Sequence, residues 1–132
     1  MTPVSIDTNV LIRYLLRDDE RQASQARALF ARAPVFVTTT VVMETEWVLR
    51  KTYGYGPTRI ADAFSVLVAT EGVRLDDSAK IETAITGLRK GLDFADALHL
   101  AGSAQIESFA TFDGLLRKRA HRAFTAPRAV SP

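Results

Sequence analysis

The sequence predicts an α/β fold, a three-layer α/β/α domain around a central, mostly parallel sheet of four to five strands. Short apolar or β-branched stretches alternate with longer segments of helical periodicity along the whole chain. Strands separated by helices pair in parallel through right-handed crossovers, which lays helices on both faces of the sheet. The length of 132 residues suits a single domain over 1–132, and 47% hydrophobic residues supply its core.

The elements follow in order. Residues 3–6 (PVSI) form a short apolar strand, and the helix after it carries Val10, Leu11, Tyr14 and Leu15 at helical spacing. Residues 19–33 are alanine-rich with an acidic start and a basic end, complementing a helix dipole, until Pro34 stops them. Residues 35–39 (VFVTT) give the second strand, and a helix follows over 41–51. The GYGP break at 54–57 precedes a helix opened by Thr58. Residues 73–75 (VRL) are the third strand, 78–90 a helix ended by Gly91, and another helix runs from Phe94. Residues 108–112 (SFATF) are the fourth strand, 114–122 the last helix, and 122–125 (RAFT) a fifth strand. The end, about 125–132, reads as a loose tail.

Composition removes several kinds of chemistry. Without cysteine there are no disulfides, thiolate nucleophiles or zinc–thiolate sites. No apolar run reaches about 18 residues and no basic-then-apolar leader opens the chain, so a soluble cytoplasmic protein without membrane contact is expected. The net charge of +2 hides an asymmetry. Setting aside Asp7, Glu44, Asp96 and Asp113 leaves 17 basic and 11 acidic residues, or +6, which suits a polyanionic partner.

Those four acids stand out by position. Ligands of an open parallel sheet gather at the carboxyl ends of its strands. Asp7 follows the first strand and Asp113 the fourth, and they converge if those strands are neighbours. In VVMETEWVL, Glu44 lies three after Val41 and four before Val48, which places it on the inward stripe. Glu46 lies four before Arg50 and pairs with it in solvent. In GLDFADALHLA, Asp93, Asp96 and Leu100 share a face. Asp93 reads as a helix N-cap or as a site acid, Asp113 likewise, while Asp96 interrupts an otherwise apolar segment. Two carboxylates 4 Å apart repel by about 4 kcal/mol at an effective dielectric of about 20. A cluster of such acids therefore calls for cations, and hard oxygen ligands select Mg²⁺ or Mn²⁺.

Taken in order, IDTNVLIRYL with Asp7, METEWVL with Glu44, LDFADALHLA with Asp96 and TFD with Asp113 resemble the PIN-domain ribonucleases, most closely the VapC-type toxins of toxin–antitoxin pairs, over about residues 4–124. The resemblance implies a PIN-like fold and an endoribonuclease that cleaves RNA by metal-activated water, leaving a 5′-phosphate. Asp7, Glu44, Asp96 and Asp113 are then catalytic and bind Mg²⁺ or Mn²⁺, with Asp93 as an additional metal acid. Thr8, Asn9 and Thr111 position water and phosphate. Gly114 and Leu115 stand where some members carry a further acid. The basic helix RKRAHR offers Arg117 and Lys118 to the RNA backbone. His99 and His121 receive no role. The implied partners are RNA, a second copy in a homodimer, and a small antitoxin that inserts a guanidinium among the acids. Leu11, Leu15, Phe64 and Leu67 are the candidate docking surface for that antitoxin, the alternative being that their two helices simply pack on each other or form a homodimer. The alternatives are a catalytically inert PIN-like module that binds RNA or protein, and a haloacid-dehalogenase-like phosphatase. The phosphatase needs a second aspartate where Asn9 stands.

Overall fold

The computed structural model describes residues 2–132. The described residues form an α/β fold in two compact units, one ending at Ser78 and the other spanning Ala79–Pro132.

The first unit contains β1 (Val4–Ser5), α1 (Thr8–Leu15), α2 (Glu20–Arg32), β2 (Val35–Val37), α3 (Thr39–Lys51), α4 (Pro57–Ala69) and β3 (Val73–Leu75). Its sheet runs β1-β2-β3, parallel throughout, with Val35 of β2 paired to Val4 and to Val73. Parallel pairing brings all three carboxyl ends to one edge. There the Thr39 backbone N–H and hydroxyl both donate to Asp76, at 2.9 and 2.6 Å, tying the exit of β2 to the exit of β3. β2 is the central strand, and its Val35 and Val37 are buried. The buried core of the unit also includes Leu11 and Ile12 of α1, Val42 and Leu49 of α3, and Ile60, Phe64 and Leu67 of α4. Ala23 and Ala26 give α2 a small buried face, and Tyr14 stacks on Phe30 with ring centres 3.7 Å apart. Thr38 and Asp19 cap α3 and α2, and Pro57 opens α4 where a missing N–H costs nothing.

This packing overturns the expected docking surface. Leu11 and Phe64 are fully buried, Leu67 nearly so, and Leu15 half-buried. These side chains build the core of the unit, because α1 and α4 both need wide apolar stripes to cover a sheet of valines.

The second unit contains α5, which starts at the boundary (Ser78–Arg89), then α6 (Phe94–Gly102), β4 (Ser108–Ala110), α7 (Gly114–Ala123) and β5 (Arg128–Val130). β4 and β5 pair in parallel, Phe109 opposite Ala129. α5 ends as the sequence indicates: Gly91 takes φ +96°, and the Leu92 N–H returns to the Gly87 carbonyl at 3.0 Å. Gly87 itself must be glycine for packing, since a Cβ there would come within 2.8 Å of the Phe124 ring and 2.9 Å of Ala97.

The described residues contain five strands, but where one central sheet of four to five was expected they are hydrogen-bonded as a parallel sheet of three and a separate parallel pair, with β1 and β4 not hydrogen-bonded neighbours. The fifth lies further along than expected. Residues 122–123 finish α7, and the strand occupies 128–130 within the segment read as a loose tail. Buried Ala129, the ladder to β4 and a bond from the His121 ring to the Ala129 carbonyl at 3.1 Å hold it. A three-residue strand, Arg128–Val130, is too short for its alternation to register in sequence.

Candidate active site

The first unit carries Asp7 at the start of α1 and Glu44 within α3, and the second carries Asp93, Asp96 and Asp113 at the starts of α6 and α7. In the first, the chain leaves β1 through buried Ile6 and turns into α1 at Asp7. Asp7 is the N-cap, its Oδ1 accepting the Val10 N–H at 3.1 Å. Thr8 is the first helical residue, and its hydroxyl donates to Oε1 of Glu44. Asn9 is exposed and lines a cleft of about 500 Å³ between α1 and α2, with Arg13, Gln22, Gln25 and Arg32. Arg13 is anchored there, donating to Asp18 at 2.6 Å and to Gln22 at 2.9 Å, while the Tyr53 hydroxyl donates to the same Asp18 carboxylate at 2.8 Å. The Arg13 and Tyr53 hydrogen bonds hold the Asp18 carboxyl below its usual range.

The helical phase of α3 differs from the expectation. Its buried stripe is Val42, Thr45, Glu46 and Leu49, so Glu46 is the inward glutamate, 3% exposed, and Glu44 the exposed one. The stripe read through Val41 and Val48 is only half-buried. Pattern alone could not separate two stripes one position apart in a helix that is apolar nearly all round its first turns. The pairing of Glu46 with Arg50 is present, at 2.9 Å, but at a part-buried site rather than in open solvent. Exposed Glu44 nonetheless reaches the start of α1, because Thr8 holds it there.

In the second unit, Asp93 caps α6, its Oδ2 accepting the Asp96 N–H at 3.3 Å. Asp96 sits in the first turn, half-buried. Burial raises its carboxyl above the ordinary carboxylate value, the charge of Asp93 raises it next, and Asp113 adds to both, while His99 pulls the other way. Two neighbouring carboxylates thus act on Asp96. Asp113 caps α7, its Oδ1 accepting the N–H groups of Leu115 and Leu116, both at 3.0 Å. The Thr111 hydroxyl accepts the Asp113 N–H at 3.1 Å. Arg117 turns back to donate to the Thr111 carbonyl at 2.7 Å, bracing the turn between β4 and α7. Arg117 is therefore half-buried and engaged, whereas Lys118 is exposed.

Among the described residues, no three His, Asp or Glu side chains are gathered closely enough to hold a metal ion. The donor chemistry nonetheless fits a hard divalent cation. Carboxylate and hydroxyl oxygens are offered, cysteine is absent, and mutual repulsion already burdens Asp96.

Two features have no signal in the sequence reading. One is the brace of Arg117, which no periodicity announces. The other is Phe112, 88% exposed between Thr111 and Asp113. Reading the fourth strand on to residue 112 hid it, since β4 ends at Ala110.

The PIN domain family model matches residues 4–121 of the chain. No curated protein and no solved structure gives a significant match.

Proposed function

The chain belongs to the PIN-domain family, and from that premise we propose that it is a Mg²⁺- or Mn²⁺-dependent endoribonuclease, the toxin of a toxin–antitoxin pair. PIN domains are generally metal-dependent nucleases, so nuclease chemistry is the coarser statement that family membership supports. The observation that supports the metal-dependent part of this reading is the grouping of Asp93, Asp96 and Asp113, where burial and the neighbouring acids raise the Asp96 carboxyl, a charge arrangement that a divalent cation relieves.

Asp7, Glu44, Asp96 and Asp113 would hold the ion, with Asp93 beside them. Bound there, a divalent cation supplies an acidified water and charge stabilisation at phosphorus. The side chains prepare for it. Asp7 and Asp113 each commit Oδ1 to a helix cap, which fixes the carboxylate plane and leaves Oδ2 to a ligand. Thr8 fixes Glu44. Thr111 accepts the Asp113 N–H and so keeps its own O–H to donate to a phosphate oxygen.

The test is incubation with total cellular RNA and Mg²⁺, followed by mapping of new 5′ ends. Discrete 5′-phosphate ends are expected, lost with chelator and with Asp7→Asn. RNA left intact under all metal conditions would mean an inert module instead.

The toxin reading adds a small antitoxin whose guanidinium pairs with the acids, and a cytoplasmic setting; no described helix is long and apolar enough to cross a membrane. With Leu11, Phe64 and Leu67 committed to the core, the exposed large apolar side chains of the first unit are Val4, Met43, Trp47 and Val66. Co-expression with the adjacent small reading frame should give a complex that does not cut RNA. Its failure removes the toxin role and leaves the nuclease.

A further inference from the structure

Phe112 is the most exposed large hydrophobic side chain of the described residues, at 88%. A free phenyl ring in water is unfavourable, and a mobile loop would fold it away. This turn does not. Thr111 bonds to the Asp113 N–H, Asp113 caps α7 twice, and the Arg117 guanidinium clamps the Thr111 carbonyl, so the residues on both sides of Phe112 are fixed. Leu115, three residues on and 55% exposed, extends the apolar ledge. Lys118 and Arg119 lie exposed further along the same helix, which gives the ledge cationic neighbours.

We propose that Phe112 is a stacking platform for an unpaired nucleobase of the RNA next to the phosphate being cut. The inference rests on the nuclease reading above. The occupant follows from three facts. The ring adjoins Asp113, an acid of the candidate site. Its cationic neighbours favour a polyanion. A flat π-face exposed on a braced turn suits a base, which in single strands is splayed out and stacked on aromatic side chains. In a duplex every base is already stacked, so the ring would find no partner. The platform also sets register: stacking one base fixes where the neighbouring phosphate lies relative to Asp113.

The test uses the full chain carrying Asp7→Asn, to prevent cleavage, and a short single-stranded RNA containing 2-aminopurine, whose fluorescence reports stacking. Phe112→Ala should weaken binding by about 5- to 150-fold, the equivalent of ~1–3 kcal/mol per stacked base, and abolish the protein-induced fluorescence change. Phe112→Trp should restore both, and Phe112→Leu neither. Melting temperatures should stay together, because so exposed a ring contributes little to folding. In the active chain, Phe112→Ala should raise KM for the single strand. Unchanged affinity in Phe112→Ala overturns the proposal, as does rescue by Phe112→Leu, which would mark a merely apolar contact. A change in self-association with RNA binding intact would make the ring a protein contact and equally overturn it. In all three cases RNA cleavage by the parent persists and the nuclease reading stands; a parent that neither binds nor cuts RNA removes both.

Discussion

The Thr8 hydroxyl donates to the Glu44 carboxylate, joining the first turn of α1 to the middle of α3 although the residues lie 36 positions apart. Asp7, Thr8 and Asn9 thereby divide three tasks. Asp7 caps the helix, Thr8 fixes a distant acid, and Asn9 faces the α1–α2 cleft. Thr8→Val should free the Glu44 side chain and lower kcat, while Thr8→Ser keeps the bond and the rate. Parallel kinetics on the two variants check it.

Glu44 and Glu46 should separate by readout. Exposed Glu44 contributes little to packing, so Glu44→Gln should leave the melting temperature near the parent's and cost about two to three orders of magnitude in kcat, the range for one preorganised electrostatic group. Glu46 is buried against Arg50, whose own side chain is 39% exposed and can rehydrate. Glu46→Gln should therefore cost about 1–2 kcal/mol of stability, more than a surface pair, with activity kept in the folded fraction. Denaturant melts and single-turnover assays read the two effects independently.

Asp113 serves both a helix and a candidate metal, and substitutions can divide the two. Asparagine caps nearly as well as aspartate, whereas alanine does not. Asp113→Asn should retain stability and lose cleavage; Asp113→Ala should lose cleavage and a further ~1 kcal/mol of stability. If Asp113→Asn cleaves normally, the residue is a cap alone.

Much of this is legible in the sequence because it is local. N-cap chemistry at Asp93 and Asp113, the Gly91 stop and the Val73–Leu75 strand depend on neighbours a few positions away, and all are present. The inward face of α3 is not legible, because a Val-Val-Met run leaves the helical phase undetermined until a sheet selects one stripe. The burial of Leu11 and Phe64 escapes for a related reason: surplus apolar residues read as a docking face when the width of the sheet beneath them is unknown. β5 and the Arg117 brace depend on partners that only the tertiary fold supplies.

The raised Asp96 carboxyl makes stability depend on pH. With its folded value above its unfolded one, the folded state holds more protons between the two, so metal-free stability falls as pH rises through the ordinary carboxylate value to the raised one, and is level in this respect above it. Asp96→Asn should flatten that part of the profile and melt higher than the parent at neutral pH in chelator. Adding Mg²⁺ or Mn²⁺ should reverse the order, because the parent gains binding energy that the variant lacks. Thermal melts across pH with and without metal decide it. A parent indifferent to both metals argues against the metal site.

Arg117 and Lys118 are adjacent in sequence and opposite in employment. Arg117 spends its guanidinium on the Thr111 carbonyl at 2.7 Å, within the turn that presents Thr111 and Asp113. Arg117→Gln should cost about 1–2 kcal/mol, as expected when a charge-assisted hydrogen bond is removed, and lower kcat by loosening the turn. Lys118 is exposed and unneeded by the fold, so Lys118→Gln should leave melting unchanged and weaken RNA binding. The salt dependence separates the two. Each phosphate neutralised by a cationic side chain on a single strand adds about 0.7 to the slope of log affinity against log salt. Lys118→Gln should therefore flatten the line by about that amount, and Arg117→Gln should leave it parallel to the parent's. If Arg117→Gln flattens the slope without altering the melt, its guanidinium serves the RNA backbone in solution and the brace is dispensable.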